Sequence, residues 1–89
     1  MKWNDVSYLI RGPLNRRIVE ALEKEILTPV QIAKKTNMAR SNVGTRLIKL
    51  KQRNLVECLN EEDKIGRLYR ITEYGKGVLK EARKINLLP

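Results

Sequence analysis

Residues 28–53 read TPVQIAKKTNMARSNVGTRLIKLKQR, and this stretch decides the fold. Thr28 is placed to cap a helix, Pro29 suits the first helical position, and Gln31 stands three residues after Thr28, as a capping box requires. The pattern predicts a short helix over about 29–35 and a longer one over about 40–53. The intervening Thr36-Asn37-Met38 predicts a tight break, because asparagine tolerates a positive φ.

Apolar residues recur at helical spacing on both sides of this break and upstream of it. Upstream, they predict a helix over about 5–11 and, after Gly12, a second helix over about 13–25 that Pro13 opens. The residues predicted to face the core are Val6, Leu9 and Ile10, then Leu14, Ile18, Val19, Leu22 and Ile26, then Ile32 and Ala33, and finally Val43, Leu47 and Leu50.

The hydrophobic period changes after Asn54, a residue suited to a left-handed cap at the end of a helix. Residues 55–59 and 68–71 are short β-prone runs joined by the polar loop 60–67. Two short β-prone runs joined by such a loop predict a hairpin with a long tip, over about 55–71.

A last helix is predicted over about 72–86, with Thr72 as its cap. Its predicted core stripe is Tyr74, Val78, Ala82 and Ile85, with Leu79 at the edge. The expected fold class is therefore mainly α with a small β-hairpin, in a single domain spanning residues 1–89.

The charge is positive and unevenly distributed along the chain. Nineteen Lys and Arg stand against ten Asp and Glu, for a net charge of +9. No acidic residue lies between Glu25 and Glu57, and seven basic residues do: Lys34, Lys35, Arg40, Arg46, Lys49, Lys51 and Arg53. A block of one sign within a folded region indicates a polyphosphate partner such as nucleic acid.

Several classes of function are disfavoured by composition. Histidine is absent and Cys58 is the one cysteine, so neither a metal site nor an internal disulfide is expected. We expect Cys58 to be a small apolar residue of a strand and not a redox sensor. No Gly-rich phosphate loop is present, and the acidic triplet Glu61-Glu62-Asp63 is expected to be a solvated loop tip. We expect no enzymatic activity, no cofactor and no small-molecule ligand.

The cellular setting is expected to be the cytoplasm. No apolar run approaches the roughly 20 residues of a membrane span, and the first five residues lack the apolar stretch of a secretory signal. A single cysteine fits a reducing compartment.

The segment TPVQIAK, the turn TNM and the segment ARSNVGTRLIKL together resemble the helix-turn-helix of MarR- and ArsR-type regulators. RNLVE at 53–57 resembles their step into the first wing strand, and GRLYRITEYG at 66–75 resembles their second wing strand and the start of the final helix. The likeness covers residues 13 to about 85. It implies a winged helix-turn-helix fold, a homodimer, and a recognition helix that enters the major groove of DNA.

Two positions depart from the pattern of these families. Ala39 stands where a capping Ser or Thr is usual, so the recognition helix is expected to begin without a side-chain cap, at a cost of roughly 1 kcal/mol. The wing tip Glu61-Glu62-Asp63 is acidic where phosphate-binding wings are basic, which puts a DNA contact by the wing in doubt.

The candidate DNA-binding residues lie on the recognition helix and the wing. With Val43, Leu47 and Leu50 facing the core, the opposite face carries Ser41, Thr45, Ile48 and Gln52, flanked by Asn42 and Lys49, with Arg40 at the N-terminal end. Arg46 is nearer the core, which suits phosphate binding or packing. The candidates are Arg40, Ser41, Asn42, Thr45, Arg46, Lys49, Lys64 and Arg67.

Alternatives stay open for three of these features. The alternative to DNA contact for the outer helix face is a solvated surface. The alternative for Lys64 and Arg67 is that they pair with the neighbouring acids and contribute little. Gly44 interrupts a helix at a cost of roughly 1 kcal/mol relative to alanine. Packing between the two helices of the motif is the explanation that we favour for it, and close approach of a phosphate is the other.

The sequence predicts a transcriptional regulator that binds duplex DNA sequence-specifically. Two other functions remain open, a winged-helix module that docks onto protein and a non-specific, chromatin-type DNA binder. A homodimer is expected because the stripe of the last helix and the apolar residues Trp3, Val6, Leu9 and Ile10 exceed what one small core needs, with the Leu87-Leu88 tail adding to them. Two-fold pairing would place two recognition helices about 34 Å apart.

Overall fold

A computed structural model describes residues 2–86 and contains five helices and one antiparallel hairpin. In chain order these elements are α1 (Trp3–Arg11), α2 (Pro13–Ala21), α3 (Pro29–Thr36), α4 (Arg40–Gln52), β1 (Val56–Cys58), β2 (Tyr69–Ile71) and α5 (Glu73–Asn86). The predicted order of elements and the winged helix-turn-helix fold are confirmed. The Leu87-Leu88 tail lies outside the described residues.

The helix-turn-helix forms as its local signals predict. The backbone N–H of Thr28 donates to Gln31 Oε1 at 2.9 Å, and the N–H of Gln31 donates to Thr28 Oγ1 at 3.2 Å, so the capping box is complete. Asn37 ends α3 in the left-handed region with φ 56°. Ala39 precedes α4 and offers no side-chain cap, and Asn54 follows it with φ 62°.

The segment between α2 and α3 differs from the prediction. Helix α2 ends at Ala21, four residues before the predicted end, and the chain turns before running extended through Leu27. The N–H of Leu27 donates to Tyr69 O at 3.1 Å, and the N–H of Tyr69 donates to Leu27 O at 2.9 Å. Leu27 is buried and Ile26 is half exposed, so the prediction of Ile26 as a core residue is wrong. Pairing with β2 sets this register, because it turns Leu27 and not Ile26 toward the core.

The wing is a short hairpin with its long loop at the tip. Val56 pairs with Ile71 and Cys58 with Tyr69, and the N–H of Leu59 donates to the carbonyl of Leu68 at 2.8 Å just beyond the paired strands. Each strand has three residues, which is shorter than predicted.

Helix α5 begins at the predicted cap. The hydroxyl of Thr72 accepts from the N–H of Gly75 at 2.8 Å and donates to the carbonyl of Asn54 at 2.7 Å, which ties the start of α5 to the end of α4. A Cβ on Gly75 would lie 2.1 Å from the carbonyl oxygen of Leu55, so glycine is required for this close packing. Leu79, predicted at the edge of the stripe, is fully buried instead.

The two terminal helices pack against each other within the monomer. We call their packed faces, which hold the buried Val6 and Leu9 of α1 and Val78 and Ala82 of α5, the α1–α5 seam. Val6, Leu9, Val78 and Ala82 of the two predicted stripes are covered within the monomer, whereas Ile10, Tyr74 and Ile85 are half-buried and Trp3 is exposed. Dimerisation through the terminal helices stays a prediction. No helix within residues 2–86 is long and apolar enough to cross a membrane.

Candidate nucleic-acid interface

One face of α4 presents side chains to solvent along the whole helix. We call it the α4 outer face; its exposed members are Arg40, Ser41, Thr45, Ile48, Lys49 and Gln52. The opposite face holds the buried Val43, Leu47 and Leu50, as predicted. The helix is therefore anchored by one stripe and free to meet a partner with the other.

The polar groups on this face are little used by the protein itself. Thr45 donates its hydroxyl hydrogen to the carbonyl of Ser41 at 3.0 Å, which leaves its oxygen lone pairs and its methyl group outward. Arg40 makes no side-chain hydrogen bond or ion pair to any residue in the range 2–86. Ile48 is 61% exposed, an unusual position for a large apolar side chain.

Asn42 and Arg46 are joined in an internal network on one flank of α4. Arg46 Nε donates to Asn42 Oδ1 at 2.8 Å, and Arg46 Nη1 donates to Asn15 Oδ1 at 2.9 Å. Asn15 is a buried residue of α2. Arg46 therefore ties α4 to α2, while the amide nitrogen of Asn42 is the group that this pairing leaves to meet a ligand.

Part of the positive charge of the block without acids is neutralised in the folded structure by acids from elsewhere in the chain. Three of its cations pair with acids from outside it: Lys35 with Glu25, Lys51 with Glu61, and Arg53 with Asp5. Within the described part of the chain, the other four, Lys34, Arg40, Arg46 and Lys49, have no ion pair. The fixed positive charge of the motif is thus concentrated on α4 and the last turn of α3.

The wing loop is organised by Asn60 and Arg67. Asn60 accepts from the N–H of Leu68 at 2.7 Å and donates to the carboxylate of Asp63 at 2.9 Å. Arg67 donates to the backbone carbonyls of Asp63 at 2.7 Å and Glu61 at 3.1 Å. Arg67 is therefore bound to the loop, as the alternative explanation anticipated, although through carbonyls and not through the carboxylates.

The outermost part of the wing is formed by Lys64 and Ile65. Both are exposed, and Ile65 is 91% exposed beside Gly66, whose φ is +72°. Sequence reasoning missed Ile65, although one isoleucine in a polar loop before a glycine was the available signal. Glu61 is held by Lys51, so not all of the acidic charge of the loop is unopposed.

Gly44 lies on the flank of α4 that it shares with Arg40 and Ile48. A Cβ built on Gly44 meets no atom of the described chain within 4 Å. The explanation of this glycine by packing between helices is therefore wrong, because a side chain would have room there.

A charged network supports the C-terminal end of α4 from behind. The buried carboxylate of Asp5 accepts from Arg53 Nη1 at 2.9 Å and from the Tyr74 hydroxyl, and Arg53 lies 3.9 Å from the ring centre of Tyr8. Burial acts to raise the pKa of Asp5, but the hydrogen bonds from Tyr74 and Arg53 together outweigh it and lower that pKa. The same bond to Asp5 raises the pKa of Tyr74.

The described part of the chain brings together no cluster of metal-ligating side chains. No group of three or more Cys, Asp or Glu side chains able to hold a metal ion occurs in residues 2–86. Cys58 is half-buried in β1, with its Sγ 3.7 Å from Asn60 Oδ1.

Solved structures with this fold include two transcriptional regulators and one protein in complex with DNA. The transcriptional regulator BldR of Sulfolobus solfataricus is 26% identical with a TM-score of 0.73, over 82% of this chain and 53% of that one. ZitR of Lactococcus lactis, solved in complex with DNA, is 26% identical with a TM-score of 0.69, over 80% of this chain and 49% of that one. The MarR family transcriptional regulator SPO1453 of Silicibacter pomeroyi DSS-3, at 16% identity, is similar only in fold. Its TM-score is 0.67, over 82% of this chain and 52% of that one. The chain thus spans about half the length of each.

Sequence comparison gives the family. No curated protein matches the sequence. The profile of a family described as bacterial regulatory protein, arsR family, matches residues 12–57, just over half of the chain, from the start of α2 through most of the first wing strand. The fold and this match agree, and the chain belongs to the arsR family of bacterial regulatory proteins.

Proposed function

We propose that this protein is a transcriptional regulator that binds duplex DNA sequence-specifically by inserting α4 into the major groove. The observation that carries the proposal is the α4 outer face, whose polar side chains are exposed and almost unused inside the protein. ZitR, which shares the fold, was solved in complex with DNA, and this supports the assignment.

The dimensions and chemistry of α4 suit the groove. Its 13 residues give a length of about 20 Å, and the major groove is wide enough for one helix. Arg40 at the N-terminal end is suited to a bidentate contact with guanine, and Ser41 and Thr45 to polar base edges or the thymine methyl group. Lys49 is suited to a phosphate.

Direct and supporting roles are divided among the candidate residues. We assign direct contacts to Arg40, Ser41, Asn42, Thr45, Lys49 and, at the wing tip, Lys64. Arg46 and Arg67 act in this proposal as positioning residues, because Arg46 orients Asn42 from behind and Arg67 shapes the loop that carries Lys64. Their contribution to DNA binding is through these neighbours.

The proposal includes a single winged-helix domain that binds as a homodimer to two related half-sites. Within residues 2–86, the apolar surface outside the seam includes Trp3, which is 64% exposed beside the half-buried Ile85, in a shallow groove that Val6 and Glu81 also line. Sedimentation at micromolar concentration is expected to give a dimer that Trp3→Ala weakens. A monomer mass, alone and on a palindromic duplex with protein in excess, would remove the dimer.

The function is tested by selecting bound duplexes from a random pool and measuring affinity against salt for a selected and a random duplex. Lys49→Ala is expected to weaken both duplexes alike and to lower the salt slope by about one unit. Lys80→Ala is the matched control, an exposed lysine of α5 without an ion pair in the described residues, and its slope should stay unchanged.

Other outcomes of this experiment correspond to the other functions. Equal affinity for selected and random duplexes would make the protein a non-specific DNA binder. Absence of binding to any duplex would leave the protein-docking module, for which the exposed Ile48 on α4 would be an apolar anchor.

A further inference from the structure

Nothing in the described structure requires glycine at position 44. Gly75 and Gly12 are confined by neighbours, since a Cβ would lie 2.1 Å from Leu55 O and 2.5 Å from Asn15 Nδ2, respectively. Gly66 has a positive φ that favours glycine. Gly44 has a helical backbone and open space where its side chain would be.

This glycine also carries a cost that the fold does not recover. Glycine is among the poorest helix formers, because it loses most backbone freedom on folding, and Gly44 lies in the fifth position of a 13-residue helix. The preceding Ala39 adds no capping hydrogen bond to the same end of α4. The N-terminal half of α4 is thus held by its buried stripe, without help from local propensity.

The position of Gly44 on α4 indicates what occupies the space. Residues four positions apart lie on the same side of a helix, so Gly44 is flanked one turn away on each side by Arg40 and Ile48. Both side chains are exposed, and their Cα atoms are about 12 Å apart along the helix axis. Between them, at Gly44, the helix presents backbone alone, and we call this gap between the two side chains the notch.

We propose that Gly44 is the point at which one DNA strand comes closest to the recognition helix, with the strand seated in the notch between Arg40 and Ile48. The inference rests on the proposed function and identifies a binding position in it that has no side chain. A helix without a side chain at its contact point approaches a ligand more closely. Arg40 and Ile48 then contact the same strand on either side.

The experiment compares stability and DNA affinity in a series of increasing side-chain size, Gly44→Ala and Gly44→Leu. Both residues are strong helix formers, so the Tm is expected to rise, by roughly 4 °C for alanine. Affinity for the selected duplex is expected to fall, about fivefold or more for alanine and about fiftyfold for leucine. Asn4→Ala is the matched control, because it places alanine at an exposed position of α1 without changing charge, and its affinity should match the wild type.

The results separate the two kinds of DNA group that fit the notch. An equal loss on selected and random duplexes places the sugar–phosphate backbone in it, and a loss confined to the selected duplex places a base edge there; either upholds the proposal. Wild-type affinity in Gly44→Leu overturns it, as does a fall in Tm for Gly44→Ala, which would show that the side chain meets the protein. Failure of the wild type to bind any duplex would instead overturn the proposed function.

Discussion

The α1–α5 seam and the α4 outer face both contain apolar and charged side chains, but these are buried or paired in the seam and exposed on the outer face. In the seam, apolar side chains are buried, and Asp5 of α1 is tied to Tyr74 of α5 and to Arg53, the residue that follows α4. On the α4 outer face, Arg40 has no ion pair within residues 2–86 and Ile48 is 61% exposed. The seam therefore stabilises the monomer, and the outer face is left for a partner.

This contrast separates stability from binding in one small domain. Substitutions in the seam are expected to change the free energy of unfolding and leave the DNA affinity of the folded protein unaltered. Substitutions on the outer face are expected to do the reverse, because their side chains contact little of the protein.

The largest effect is expected for Leu9→Ala in the seam. Leu9 is fully buried, and removing such a side chain costs about 2–5 kcal/mol through lost burial and the cavity left behind. Urea denaturation measures this loss, and DNA affinity is compared at a temperature where both proteins are folded. A large loss of affinity in the folded variant would show that the seam and the outer face are coupled.

A loss of about 2–3 kcal/mol in the free energy of unfolding is expected for Asp5→Ala, since Arg53 and Tyr74 lose a charged hydrogen-bond partner. The pKa of Asp5 is lowered in the folded state, so its contribution is present above the unfolded pKa and is lost as the pH falls through the folded pKa. The free energy of unfolding of the wild type should therefore fall below about pH 4. The variant should show a shallower decline; an identical acid profile would contradict the network.

On the outer face, Arg40→Ala is expected to cost about 1–3 kcal/mol of binding free energy on the preferred duplex and to relax the preference at one base position. Its free energy of unfolding should change by less than about 0.5 kcal/mol, because Arg40 is exposed. Anisotropy titrations on the preferred duplex and its single-base variants measure the first, and urea denaturation the second. Unchanged affinity would remove Arg40 from the interface.

The smallest effect is expected at the wing, where Glu61→Gln releases Lys51 from its ion pair. Both groups are about half exposed, so stability should change by less than about 1 kcal/mol. Duplex affinity should stay the same or rise, and the salt slope should increase by up to about one unit. Weaker binding would mean that the pair holds the wing in place for DNA.

Local chemistry predicted much of the fold. The capping box of Thr28 and Gln31 forms, and Asn37 and Asn54 adopt the positive φ expected of helix ends. Such features depend on residues a few positions apart, so the sequence displays them directly. The buried stripe of α4 was predicted for the same reason, and with it the outer face.

Long-range contacts account for what was missed. Leu27 pairs with Tyr69, 42 positions later, and no local pattern signals that α2 must end early to allow it. The basic block is uniformly positive in sequence because the acids that pair with Lys35, Lys51 and Arg53 lie outside it. Arg46 similarly faces Asn15 across 31 positions.

The sequence by itself determined the helix-turn-helix, the hairpin after it and the residues that α4 presents, because hydrophobic period, caps and turn residues act within a few positions. Only the tertiary structure decided which charges within residues 2–86 remain unpaired, that Val6, Leu9, Val78 and Ala82 are covered within the monomer, and that Gly44 has empty space beside it. These depend on which distant groups fold against one another, and on how much of each surface that packing leaves exposed.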